Sequence, residues 1–320
     1  MTILLLKFLL ISAIIITTGY KLTIVGDKLG EETGFGSNLV GFILLASITS
    51  LPELVTAISA AHIHSENLVF GNMIGSNIFN MVVIAVVVIA GAKKQFYGKA
   101  ENIFNASMGL FIVALVGILI FLQLKISGLI LAITYVFIIY LSFKFENKQN
   151  TEKQEASFKF KKLWKQYALF LFLSMIIVIT GYYLTGVCDK MAITPFSIGG
   201  KSYVLGTTFV GQLFLALSTS LPELIVSLSA VKIGKIDMAY SNVFGSNIFN
   251  MFILGISSFF YSGNMFLNVS KDILFSILIF FILVSITIAS LKYRIKSKFR
   301  YDAFLLILFY LLNLFYLFSK

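Results

Sequence analysis

Runs of about 20 apolar residues, broken by short polar interruptions, recur ten times along the chain, and that length spans the hydrocarbon core of a bilayer as a helix. They cover roughly residues 2–20, 38–61, 68–91, 103–122, 126–144, 166–187, 203–231, 238–261, 271–291 and 302–319. Each predicts a transmembrane helix. One long polar stretch, FENKQNTEKQEASFKFKKLWKQ, falls between the fifth and sixth runs. The chain therefore reads as a five-helix half over 1–145, a basic linker over 146–165 and a second five-helix half over 166–320.

The composition agrees with this pattern. Of 320 residues, 58% are hydrophobic and only 12% charged, more apolar surface than a soluble domain can hide, so the fold class is an all-α polytopic membrane protein. The amino-terminal stretch MTILLLKFLLISAIII has the basic and apolar character of a signal peptide, but its apolar run continues to about Ile16 without a small-residue cleavage site. It reads as a retained first span. The net charge of +11 does not point to nucleic acid, because the basic residues lie between spans. The loops after spans 1, 3, 5, 7 and 9 hold 19 of the 25 Lys and Arg residues, Lys93, Lys94, Lys161, Lys162, Lys292 and Arg294 among them. The other side keeps Lys7, Lys125, Lys190, Lys201, Lys271 and Lys320. The positive-inside rule then places both termini outside and the linker in the cytoplasm. The one cysteine, Cys188, has neither a disulfide partner nor metal-site spacing and reads as a small apolar filler.

Two of the three prolines, Pro52 and Pro222, lie in one string written twice, Thr-Ser-Leu-Pro-Glu at 49–53 and 219–223. At the same offset of 170 residues, GNMIGSNIFNM at 71–81 returns as SNVFGSNIFNM at 241–251. About half the positions from Gly41 to Met81 match their partners without a gap, which marks an internal duplication with repeats at 39–91 and 209–261. Five spans is an odd number, so equivalent spans cross in opposite directions. The expected architecture is an inverted repeat.

The duplicated strings carry the chemistry. A carboxylate at mid-membrane depth costs roughly 2.5–3.5 kcal/mol on insertion scales, and neither Glu53 nor Glu223 has a basic residue nearby in its own span. A cation can supply the missing charge. Thr49, Ser50, Thr219 and Ser220 add hydroxyl oxygens, and each proline is expected to kink or break its helix just before the acid, freeing carbonyls at about Ala46 and Ala216. In the next span Asn72, Ser76 and Asn80, and likewise Asn242, Ser246 and Asn250, recur every four residues on one helix face. Gly75 and Gly245 beside the serines permit close helix approach and local unwinding. Two carboxylates with neutral oxygens, and no His or Cys, describe a site for a hard cation, better suited to Ca2+ than to Mg2+, with Na+ as a competitor of similar size. The competing structural readings are a capping box, Ser50 with Glu53, and interhelical hydrogen bonding by the Asn and Ser stripes. Asp27, Glu31, Glu32 and Glu66 lie near span ends and read as solvated; His62 and His64 read as interfacial.

These paired strings, one pair in each of two inverted halves, resemble the alpha-repeats of the calcium/cation antiporter superfamily, in particular the compact prokaryotic Na+/Ca2+ exchangers. The resemblance implies a prokaryotic plasma-membrane antiporter that exchanges Na+ for Ca2+ by alternating access and normally extrudes Ca2+. It implies no cofactor and no protein partner. It puts Glu53 and Glu223 at a central Ca2+ site beside Thr49, Ser50, Thr219 and Ser220. Ser76, Asn80, Ser246 and Asn250 correspond to further ligands, Ala46 and Ala216 to carbonyl donors, and spans 1 and 6 to a sliding bundle. This chain departs from the pattern at Ile48, Ser218 and Ser241, where glycine is common. At Asn250 the family often has Asp, which lowers the expectation of K+ cotransport. A Ca2+/H+ or other divalent-cation antiporter would use the same oxygens, and two acids can also form a channel's selectivity ring. No HExxH or Gly-x-Ser-x-Gly string is present, so no enzyme is expected.

Overall fold

Nine helices among the described residues are long and apolar enough to cross a membrane, and the remaining expected span is the one that carries Pro52. The computed structural model describes residues 1–33, 46–91, 100–147, 164–198, 201–232, 234, 236–293 and 300–319. The first half contributes α1 (Thr2–Thr33), α2 (Ala46–Thr49), α3 (Leu51–His62), α4 (Glu66–Ala90), α5 (Ala100–Leu122) and α6 (Ser127–Asn147). The second contributes α7 (Trp164–Ile193), α8 (Thr207–Val210), α9 (Ala216–Lys232), α10 (Ile236–Ser257), α11 (Lys271–Lys292) and α12 (Tyr301–Phe318). A π-helical turn, Gly211–Leu215, joins α8 to α9. Most of the linker, with Lys161 and Lys162, lies outside the described residues, as do Lys93, Lys94 and Arg294.

Burial orders these helices. The apolar window of α4 is 78% buried against 22% for α6 and 28% for α1 and α7, so α4 is a core helix, and its polar stripe of Asn72, Ser76 and Asn80 is buried with the rest. It packs on α9, α10, α11 and α12 of the other half, and α10 packs in turn on α5 and α6 of the first. Close approach is set by missing side chains. A Cβ at Gly75 would lie 2.5 Å from Gln212 Cα, and one at Gly71 2.9 Å from the Thr208 carbonyl oxygen. The π-helical turn therefore lies backbone to backbone on α4.

The halves differ at the prolines. In the first, the helix stops at Thr49 and restarts at Leu51, which leaves Pro52 in a first turn where its missing N–H leaves no intrahelical bond unmade. In the second, α9 runs on through Pro222. The irregularity there is the π-helical turn two to three turns earlier, not the expected break before the acid. Only Pro222 sits in a helix interior, where it deprives the Ser218 carbonyl of its usual donor.

Helix α1 runs well past the expected end at residue 20, and it reveals a second duplication. TGYKLTIVGDK at 18–28 and TGYYLTGVCDK at 180–190 share a frame, with Gly19 answering to Gly181. The packing explains why both glycines are present. A Cβ at Gly19 would lie 2.9 Å from Pro222 Cγ, and one at Gly181 2.9 Å from Val55 Cγ1. Each of these helices crosses the proline-bearing helix of the opposite half, and α1 and α7 also lie along each other. This offset is 162 residues where the other is 170, so the second half has eight more residues between the two motifs. An antiparallel hairpin, Phe196–Ile198 with Lys201–Tyr203, occupies that connection. Cys188 is free and buried as a packing residue.

Gly75→Ala should lower the unfolding free energy in detergent by about 1–3 kcal/mol, because the added methyl meets backbone that cannot swing away. Gly186→Ala, with nothing within 4 Å of the new carbon, should leave the melting temperature unchanged or slightly raised.

Candidate functional site

The restart of the helix at Leu51 brings Glu53 into the first turn of α3, while Glu223 projects from the middle of α9. Their relative exposures are 0% and 1%, and among the described residues neither carboxylate forms a salt bridge, unlike Asp302, which pairs with Arg300. Two acids are thus held in the interior without a fixed countercharge.

Each acid is held by the serine of the other repeat. Ser50 Oγ donates to Glu223 Oε1 at 3.1 Å, and Ser220 Oγ donates to Glu53 Oε1 at 2.9 Å. These bonds are mates under the 170-residue correspondence, so the duplication is also a spatial symmetry. They also settle the capping-box reading. Ser50 stands at the amino end of α3 but makes no side-chain bond to that helix's N–H groups. Its hydroxyl crosses to the other half. Ser246 Oγ lies 3.5 Å from Glu223 Oε1 and 3.4 Å from Thr49 Oγ1, which joins α10 to the same cluster.

The remaining expected residues divide into engaged and unpartnered oxygens. Thr49 donates to the Ala46 carbonyl, which also accepts the Ser50 N–H. Thr219 donates to the carbonyls of Leu215 and Ala216. The two alanine carbonyls are therefore not freed by the prolines in this conformation, although a carbonyl or a donating hydroxyl keeps lone-pair capacity. The Oε2 atoms of Glu53 and Glu223, Ser76 Oγ, and the Oδ1 atoms of Asn80, Asn242 and Asn250 are buried without any hydrogen-bond partner. Native interiors leave few buried acceptors unmatched, and here two belong to carboxyl groups. Apart from the Nδ2 of Asn247 and the hydroxyl of Ser76, which can also donate, the unpartnered atoms in these strings are pure acceptor oxygens, and oxygen acceptors match a hard cation. No group of three or more His, Cys, Asp or Glu residues that could hold a metal occurs among the described residues.

Sequence reasoning missed Asn77 and Asn247, which lie one position off the stripe. Both are buried, and they accept from the amides of Asn250 and Asn80 at 3.0 and 2.9 Å. Their signal was present, since the string Gly-Ser-Asn-Ile-Phe-Asn repeats both asparagines and not only the second. The other stripe residues connect to neighbouring helices: Asn72 donates to Thr56 Oγ1 at 2.9 Å, and Asn242 donates to Ser227 Oγ at 3.4 Å.

Comparison with known proteins gives the same outline. The sequence profile described as sodium/calcium exchanger protein matches residues 3–144 and 165–319. An uncharacterized membrane protein of Methanocaldococcus jannaschii is 30% identical over 248 residues, 75% of this chain and 76% of its own length. The sodium/calcium exchanger MaX1 of Methanosarcina acetivorans is 26% identical, covering 89% of this chain and 92% of its own. Among solved structures, the sodium-calcium exchanger NCX_Mj soaked with 10 mM Na+ and zero Ca2+ superposes with a TM-score of 0.67 at 23% identity, over 98% of both chains. That likeness is one of fold.

Replacing one of two unpaired buried charges by an amide should stabilise the ion-free protein. Glu53→Gln and Glu223→Gln are each expected to raise its unfolding free energy by about 1–3 kcal/mol. Saturating Ca2+, about 100 times the dissociation constant, should stabilise the parent by about 2.7 kcal/mol and the two variants by far less. Thermal unfolding in detergent with a chelator or with Ca2+ checks both signs.

Proposed function

The chain belongs to the sodium/calcium exchanger protein family, and we propose that it exchanges Na+ for Ca2+ through the Glu53–Glu223 centre by alternating access. The observation that carries this reading is the pair of unpartnered Oε2 atoms on two buried acids held by reciprocal serine bonds. Two negative charges in a low-dielectric interior repel strongly when no cation lies between them. One Ca2+ or several Na+ ions relieve that repulsion. Because both ions use the same oxygens, occupancy by one excludes the other, and that exclusion couples the two fluxes. The ion-free centre resists passing between outward and inward forms, which prevents leak. Ala46, Thr49, Ser50, Ser76 and Asn80 from one half, and Ala216, Thr219, Ser220, Ser246 and Asn250 from the other, complete the oxygen set around the two acids. No covalent step and no cofactor is involved.

The halves act as two five-span units joined by the basic linker, with both termini outside and the linker in the cytoplasm, an orientation that the distribution of Lys and Arg supports. With Na+ more concentrated outside, exchange runs toward Ca2+ extrusion; reversed gradients reverse it. Helices α1 and α7, each against the proline-bearing helix of the opposite half, are placed to move as a pair over the centre.

Proteoliposomes loaded with Na+ and diluted into choline buffer should take up radioactive Ca2+, and dilution into Na+ buffer should abolish uptake. Glu53→Gln or Glu223→Gln should reduce the rate by at least about a hundredfold, by loss of a charged ligand. Uptake that ignores Na+ but follows an imposed pH gradient would replace this reading with proton-coupled exchange. The topology has its own check in a Cys188→Ser background. A thiol introduced as Lys161→Cys should resist an impermeant reagent on intact cells and react after permeabilisation.

A further inference from the structure

An asparagine can serve a cation only with its oxygen; its NH2 group, turned the same way, repels the ion. The amide is nearly symmetric in shape, so which end faces the ion is decided by what the other end bonds to. Around Asn80 and Asn250 those bonds are supplied by Asn77 and Asn247, which belong to no ligand position. Asn250 Nδ2 donates to Asn77 Oδ1 at 3.0 Å, and Asn80 Nδ2 donates to Asn247 Oδ1 at 2.9 Å. Each bond crosses between repeats, and the two are mates under the 170-residue correspondence. With both NH2 groups committed, the Oδ1 atoms of Asn80 and Asn250 are the ends left buried and unpartnered.

The two pairs are not equally constrained. Asn77 Nδ2 donates to the backbone carbonyl of Asn247 at 3.1 Å. A carbonyl can only accept, so Asn77 must present its NH2 there and its oxygen to Asn250. This fixes Asn250 in turn. Asn247 has no such tie, since its own Nδ2 is buried without a partner. If Asn247 and Asn80 both reversed, one hydrogen bond would replace another and the NH2 of Asn80 would take the place of its oxygen. The first pair is locked by the main chain; the second is held by its mutual bond alone.

We propose that Asn77 and Asn247 are positioning residues that orient the amides of Asn250 and Asn80 oxygen-first toward the transported cation, with Asn77 as the fixed member of the set. The proposal rests on the reading that the Glu53–Glu223 centre binds Ca2+. It also gives Asn250 a defined orientation despite its lack of charge.

A carboxylate provides the test, because both its ends are acceptors and it needs no orienting partner. Ca2+ affinity is measured by calorimetry on the detergent-solubilised full chain for Asn77→Ala, Asn250→Asp and the double variant, with Asn247→Ala and Asn80→Asp as the parallel set. Thermal unfolding without ions is recorded for each. Asn77→Ala should weaken Ca2+ binding by about tenfold or more, the usual effect of removing a group that orients a ligand. In the Asn250→Asp background the same change should weaken binding by no more than about twofold, since no flip remains to be prevented and the contact it removes, Asn77 Oδ1 against a carboxylate oxygen, is between two acceptors. Equal losses in the two backgrounds, or a loss that merely tracks lowered thermal stability in both, would overturn the proposal and leave Asn77 as a packing residue. The parent serves as the control on the underlying reading. A parent that binds no Ca2+ sinks the exchanger assignment and this proposal together, whereas a parent that binds Ca2+ with equal losses in both backgrounds sinks the orientation proposal alone.

Discussion

Two carboxylates buried at the centre of a helix bundle, with no ion-pair partner among the described residues, are the constraint on which the rest of this molecule depends. An isolated charge in such a place is unfavourable, and two repel. The protein meets this partly with its own hydroxyls, Ser50 on Glu223 and Ser220 on Glu53. The other oxygen of each carboxylate has no partner, and in the proposed exchange a mobile cation meets it. A site that were fully satisfied internally would have nothing to offer an ion; one with no internal support would not stay folded. The reciprocal serine bonds, one oxygen on each acid, sit between those limits.

The surrounding architecture follows from keeping that arrangement symmetric and close. Because each acid leans on a serine from the opposite repeat, the two halves have to interlock rather than lie side by side. The glycines allow this. Gly71 and Gly75 let α4 lie directly on the π-helical turn that precedes α9, and Gly19 and Gly181 let α1 and α7 cross the proline-bearing helices. The resulting core consists of helices from both halves, with α4 and α10 innermost. Movement of one half against the other therefore cannot leave the two acids unaffected, which is the condition a coupled exchanger must meet.

Much of this was legible in the chain because duplication turns a weak motif into a strong one. A single Ser-Leu-Pro-Glu reads as a helix cap; two of them at one offset inside apolar runs read as a site. The ten spans, the acids and the oxygen stripes followed from periodicity and spacing. What the chain did not disclose depends on contacts between repeats. The hydroxyl of Ser50 could have capped its own helix or crossed to Glu223, and local sequence cannot distinguish the two. The same holds for the prolines, which have identical neighbours at 52 and 222 yet lie at a helix start in one half and inside a helix in the other. Asn77 and Asn247 were passed over because the every-fourth-residue rule selects one face, and they lie beside it. The weaker TGYxLT duplication was hidden by an offset eight residues shorter.

Competition is the most direct expression of the idea that one oxygen cluster serves both ions. Calorimetric titration of the solubilised protein with Ca2+ at rising Na+, ionic strength being held constant with choline, measures it without any need for transport. If the centre is shared, the apparent dissociation constant for Ca2+ climbs steeply as Na+ increases while the number of Ca2+ bound at saturation stays the same. A Ca2+ affinity indifferent to Na+ would mean separate sites and would contradict exchange by mutual exclusion.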